Sequence, residues 1–86
     1  MDDRRKKLKF RAWRRGFREL DLILGRFADQ RLAAMPEAQL DDFESLMMAQ
    51  DQDVYSWILG EPAPAEFETE LLAAIRAFRE TMGEAP

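Results

Sequence analysis

Residues 65–82 read AEFETELLAAIRAFRETM, and the order of apolar residues within them decides the fold class. Phe67, Leu71, Ala74, Ile75, Phe78 and Met82 recur at intervals of three and four, which lays them along one stripe of a helix. A half-buried strand would need strict alternation, and the neighbouring leucines and alanines break it. Glu66 and Glu68 stand in the first turn of that helix and Arg76 and Arg79 in its last, as a helix dipole favours. The spacing predicts a helix over about Ala65 to Thr81, reached through a stiff connector at Pro62 and Pro64.

The same period extends backward along the chain. A short helix is expected over Val54 to Leu59, stopped by Gly60, with Asp51 and Asp53 placed to cap it. Trp57 shares its apolar face with Val54 and Ile58. Before it, Leu40, Phe43, Leu46 and Met47 form the stripe of a helix whose first turn holds Pro36 and Glu37, and Met47 and Met48 read as core gap-fillers. A longer helix is expected over Phe17 to Ala34, with Phe17, Leu20, Leu24, Phe27 and Ala28 inward. Gly25 inside it costs roughly 1 kcal/mol relative to alanine, so either a neighbour crosses closely there or the helix bends. The first helix runs from about Arg4 to Arg15, with Asp2 or Asp3 as N-cap. It presents Phe10 and Trp13 on one side, and Lys7, Arg11 and Arg14 on another. Five short helices joined by short connectors predict an all-α chain, a compact antiparallel bundle forming a single domain over residues 1–86.

Composition narrows the function. With 47% hydrophobic and 35% charged residues the chain belongs with ordered globular proteins. It has neither cysteine nor histidine, which excludes disulfides, thiolate metal sites, cysteine nucleophiles and histidine bases. The remaining carboxylates lie on amphipathic helices, where solvated faces are the ordinary outcome, so the chain is read as no enzyme, with no catalytic or metal-binding residue. Asp51 and Asp53 lack the glycine and distal glutamate of a calcium loop. No apolar run approaches the roughly 18 residues of a membrane span. The basic start is like a transit peptide in its arginines, but Asp2 and Asp3 and the need for every helix argue that it belongs to the fold.

Charge is unevenly distributed. Residues 1–18 hold nine Lys/Arg against two Asp, whereas residues 19–86 hold four basic and fifteen acidic residues. Three readings of the basic arm stay open: a solvated face, a nucleic-acid footprint with Phe10 and Trp13 as stacking platforms, or a docking surface for an acidic partner or anionic cofactor. The acidic remainder would repel a polyanion, so no nucleic acid is expected.

The densest charge lies in Arg14-Arg15-Gly16-Phe17-Arg18-Glu19. Gly16 could end the first helix in the left-handed conformation and cap the second, with Glu19 at the third helical position. That accounts for the Gly-x-x-Glu spacing and leaves the arginines without a task.

The segment Arg14-Arg15-Gly16-Phe17-Arg18-Glu19-Leu20-Asp21 resembles the Arg-Gly-x-x-Glu signature of the SdhE family, the succinate dehydrogenase assembly factor 2 family. Asp51-Gln52-Asp53 followed by Val-Tyr-Ser-Trp57-Ile-Leu-Gly resembles the second block of that family, and length, order and helical pattern agree over nearly the whole chain. The resemblance implies a five-helix chaperone, a monomer when free, cytoplasmic and bacterial. It would bind the flavoprotein subunit of succinate dehydrogenase, or of fumarate reductase in some bacteria, and assist covalent attachment of FAD to a histidine of that client. FAD would then be the client's cofactor, with none held by this chain. Carried over, Arg15, Gly16 and Glu19 match the signature, and Asp21 and Trp57 match accompanying positions. Arg11, Arg14, Phe17 and Arg18 complete the expected partner-binding set, in which Arg15 would offer its fork to a client carboxylate or carbonyl. The family also carries a description as the antitoxin half of a toxin–antitoxin pair, which is the alternative reading.

Overall fold

The computed structural model describes residues 1–84, with side chains through Met82. It contains α1 (Asp3–Trp13), α2 (Arg18–Arg31), α3 (Glu37–Met48), α4 (Asp51–Ile58) and α5 (Glu70–Glu84), and no strand among the described residues. The expected all-α bundle of five short helices is what forms, although several boundaries move for local reasons.

Asp2 opens α1 by accepting the Arg5 backbone N–H at 2.9 Å. That bond, with the Arg5 side chain, holds its carboxyl below the ordinary carboxylate value. Regular helix in α2 ends at Arg31, and the last turn tightens into a 3-10 turn over Leu32–Ala34. Pro36 takes the N-cap of α3 and not its first turn.

The largest shift is in α5, which begins five residues later than the apolar spacing predicts. Ala65–Phe67 form a separate 3-10 turn, and the Thr69 hydroxyl accepts the Leu72 N–H at 3.2 Å, as an N-cap does. Glu68 is drawn away from the helix start, since it accepts from Ala63 N at 2.8 Å and from Arg76 at 3.0 Å. Arg76, in turn, sits mid-helix and not in the last turn. It donates to the carbonyls of Trp57 (2.8 Å) and Glu61 (3.1 Å), tying α5 to the end of α4.

The core gathers the predicted stripes. Leu20, Leu24, Phe27, Leu40, Phe43, Leu46, Leu71, Ile75 and Phe78 are all buried, and each such side chain contributes about 1.5–3 kcal/mol. At the centre Phe27 meets Phe43 and Phe78 edge-on, with centroids 6.1 and 5.6 Å apart. Leu8, Leu32 and Leu72 join them. Met48 does not. It is 82% exposed, because it lies about 100° around the helix from buried Met47 and Ala49 then turns extended.

Gly25 answers the choice the sequence leaves open. A Cβ there would lie 2.2 Å from Cδ2 of Trp13, so the indole occupies the space a side chain would need. Arg5 with Leu32, Lys9 with Asp29 and Trp13 with Gly25 mark α1 and α2 as an antiparallel pair. The Trp13 Nε1–H, at the rim, donates to Asp29 at 3.2 Å.

Candidate functional site: the edge formed by two helix junctions

Residues 14–17 carry the chain from α1 into α2. Gly16 has φ +83°, and a Cβ built there would meet nothing within 4 Å. Its glycine is therefore required by conformation and not by space. The left-handed end expected of Gly16 is present, but the N-cap of α2 is Phe17, with extended backbone and a carbonyl that accepts Asp21 N at 2.8 Å. Glu19 is thus the second helical residue and not the third. Its carboxylate makes no hydrogen bond or ion pair to a described residue. The carboxylate that closes the junction is Asp21, whose Oδ1 accepts the Arg15 N–H at 2.7 Å.

The Arg15 side chain leaves this junction and crosses to the next one. Its Nε donates to Asp51 Oδ1 at 2.6 Å, Nη1 to the Met47 carbonyl at 2.6 Å and Nη2 to the Ala49 carbonyl at 3.1 Å. Those carbonyls belong to the end of α3, where helix geometry leaves acceptors without intrahelical partners. The guanidinium is a cap supplied from 32 or more residues away in sequence, and only 12% of the side chain is exposed. Two expectations change as a result. Asp51 does not cap α4, whose N-cap Gln50 makes no side-chain bond, because it is the counter-ion of Arg15. Arg15 does not hold an open fork toward a partner, because its donors are used within the chain.

Phe17 adds a second tie, packing its ring at 4.8 Å on Tyr55 of α4. The α1–α2 and α3–α4 junctions therefore sit side by side as one edge. Gly16, Arg18 and Glu19 are exposed along it, and Met48 is exposed at the end of α3. Glu19 also lines a shallow depression of about 260 Å³ with Leu22, Ile23, Tyr55, Arg79 and Met82. Arg14 lies over the exposed Phe10 ring, 4.0 Å from its centroid, and Arg11 is exposed one turn back on α1.

Of the predicted partner-binding residues, the structure thus brings together Arg14, Arg15, Gly16, Phe17, Arg18, Glu19 and Asp21, with Arg11 adjoining. Trp57 is the correction. It is only 9% exposed and stacks on Phe67 at 5.0 Å and 26°, so it supports α4 from within and is not displayed. Sequence reasoning does not bring Asp51, Met48 or Tyr55 to this edge. The unexplained arginines are the available signal for Asp51, since an arginine drawn inward needs a counter-ion.

Part of the basic arm clamps onto the acidic body. Arg4 reaches Glu37, Asp41 and Glu44 on α3, and its hydrogen bonds hold the Glu44 carboxyl below its ordinary value. Arg5 binds Asp2 and the carbonyls of Leu32 and Met35, and Lys9 lies 3.4 Å from Asp29. Lys6, Lys7, Arg11, Arg14 and Arg18 form no ion pair with a described residue. No three acidic side chains gather as metal ligands among the described residues.

Comparison with known proteins supplies the remaining constraint. The sequence pattern of a family described as flavinator of succinate dehydrogenase matches residues 6–79. Succinate dehydrogenase assembly factor 2, mitochondrial, of Dictyostelium discoideum is 41% identical over 73 residues, covering 84% of this chain and 52% of the relative. The chain thus spans about half the length of that relative. The FAD assembly factor SdhE of Legionella pneumophila (strain Lens) is 34% identical over 76 residues, covering 88% of this chain and 96% of the relative. That of Acetobacter pasteurianus is 36% identical over 70 residues, 80% of this chain and 64% of the relative.

Proposed function

The chain belongs to the family of succinate dehydrogenase flavinators, and from that membership we propose that it binds the flavoprotein subunit of succinate dehydrogenase and promotes covalent attachment of FAD to it. The observation that carries this reading is the match over residues 6–79, which includes every residue of the two-junction edge. The names of the Legionella and Acetobacter relatives, FAD assembly factor, support the same client chemistry. The antitoxin alternative has no counterpart in them.

The edge suits docking. At Gly16 no side chain stands between the backbone and a partner, so a client segment can approach closely. Glu19 has an uncommitted carboxylate for a client cation or amide, and Arg14 and Arg18 offer uncommitted donors to client carboxylates or carbonyls. Arg15 and Asp21 act through the edge, Arg15 by fastening it to α3 and Asp21 by closing the turn. The role is that of an assembly factor and not of an enzyme. With no histidine, this chain is no histidyl acceptor, and the flavin is the client's. The flavoprotein of fumarate reductase is a second client to test.

The test is a denaturing gel of the flavoprotein subunit, viewed by flavin fluorescence, from cells with and without this protein. Lower fluorescence without it is expected. Equal fluorescence at matched subunit level and flavin supply would refute the reading. Glu19→Ala should lower attachment with both the circular dichroism spectrum and the stability near wild type. Gly16→Arg, forced to a positive φ, should lower attachment with the helical spectrum kept but at a stability cost of about 1–2 kcal/mol. Unfolding of both would assign the signature to helix capping instead.

A further inference from the structure

The solvent side of α1 holds more charge than folding can use. Lys6, Lys7, Phe10, Arg11 and Arg14 recur at the three- and four-residue spacing of one helical stripe, and all are exposed. The four cations form no ion pair with a described residue, unlike Arg4, Arg5, Lys9 and Arg15 of the same arm. Lys6 and Lys7 stand at and just past the end of the first turn of a helix that begins at Asp3, where positive charge gains nothing from the dipole. Lys7 with Arg11 and Arg11 with Arg14 are like-charged neighbours, which weakens the helix. In the middle of this stripe Phe10 is 58% exposed. Apart from the Arg14 stack on Phe10, none of these features adds to stability, and together they mark a surface kept for something other than the fold.

We propose that this face of α1 is a second docking element, which receives an acidic segment of the flavoprotein client with Phe10 as its apolar anchor. This rests on the proposed function and adds the chemistry of the partner surface. Three observations select the occupant. The stripe runs without interruption into Arg14 and the Gly16 edge, so a client seated on that edge lies within reach of it. A depression of about 350 Å³ lined by Met1, Lys6, Lys9, Phe10, Trp13 and Arg14 flanks the Phe10 ring, giving the anchor a concave neighbour. The patch spans only two turns beside the acidic α3 face of Glu37, Asp41 and Glu44. That is too short to track many phosphates and is bordered by charge that repels a long polyanion. A short acidic segment meets the same cations without crossing that border.

The test titrates the isolated flavoprotein subunit with full-length wild type, the double variant Lys6→Glu/Lys7→Glu, and Phe10→Ser, at about 50 and about 300 mM salt. Lys6 and Lys7 lie outside the two-junction edge and are exposed with no ion-pair partner among the described residues, so a folded variant is expected and circular dichroism checks it. The double variant should bind about tenfold more weakly at low salt and lose most of its salt dependence. Phe10→Ser should bind more weakly at both salts with the salt dependence retained. Wild-type affinity and salt response in both variants would overturn the inference and leave the proposed function standing. No binding by wild type at either salt would overturn both. Tighter binding to a single-stranded oligonucleotide than to the flavoprotein would reassign the face to nucleic acid and overturn it too.

Discussion

Arg15→Ala distinguishes an arginine that touches the client from one that builds the surface the client touches. Wild-type Arg15 makes charge-assisted bonds to Asp51 and to two terminal carbonyls of α3, and is only 12% exposed. Breaking a mostly buried pair by deleting one partner costs about 3–5 kcal/mol in full burial. Asp51 is 31% exposed, and the space left by the guanidinium admits water to the orphaned carbonyls, so we reduce the figure to about 2–4 kcal/mol. A chain of this size has about 4–13 kcal/mol in total. Above the bottom of that range the variant still folds, with Tm lowered on the order of 10–25 °C. Arg15→Lys keeps the charge but not the planar fork, and should fall between the two. Urea unfolding gives the stability, and flavin attachment measured well below the variant's Tm gives the function. The expected result is a large loss of stability with attachment lowered in step with the disturbed edge, and partial recovery of both in Arg15→Lys. Unchanged unfolding with attachment abolished would refute the reasoning and restore Arg15 as a direct contact.

Other perturbations test the rest of the frame. Gly25→Ala gains about 1 kcal/mol of helix propensity but forces Trp13 out of its seat, where overpacking costs about 1–3 kcal/mol. A net loss is expected in urea unfolding, relieved when Trp13→Ala is combined with it, and a stabilised single variant would contradict the packing. Leu71→Ala should cost about 2–5 kcal/mol through a core cavity without altering the edge, so the folded fraction should still bind the client; a cost below about 1 kcal/mol would place Leu71 outside the core. The carboxyls of Asp2, Glu44 and Glu68 are held below their ordinary values of 3.8, 4.5 and 4.5. Their contribution is complete above those values and is lost as pH falls through the lowered ones, while the absence of histidine removes the usual titration near neutrality. Tm should stay flat over about pH 6–8 and decline below about pH 4.5, more shallowly in Glu44→Gln; a steep slope between pH 6 and 8 would contradict this.

What the sequence made legible is what repeats locally. Apolar residues at three- and four-residue intervals located all five helices and nearly all of the core, because burying an apolar stripe is what chiefly stabilises a helix in a bundle. Boundaries slipped where one short bond outweighs periodicity. The Thr69 hydroxyl starts α5 after Phe67, and the Phe17 carbonyl rather than Gly16 opens α2. Met48 departs from its expected place in the core because adjacency to a buried residue in sequence is not adjacency on a helix. Trp57 is divided: the apolar face it shares with Val54 and Ile58 points it inward, where Phe67 takes up its ring, and only the family resemblance sets it at a partner surface.

The candidate site was legible as a place but not as a mechanism, and the reason is sequence distance. The charge of residues 14–19 exceeds what a helix turn requires, and that excess marks the edge. Which arginine faces outward is set by residues 47–51, since only their carbonyls and carboxylate draw Arg15 inward. No pattern near Gly16 contains that information. Neighbouring arginines 14 and 15 consequently take opposite tasks. Arg15 commits its donors to the next junction, whereas Arg14 lies on Phe10 and faces solvent. A signature built in this way mixes contact with support. On the proposed function, Gly16 and Glu19 would meet a partner only while Arg15 and Asp21 keep the two turns together. Loss of function at any of the four is therefore no proof of contact, and contact is established only for a residue whose replacement leaves the stability unchanged.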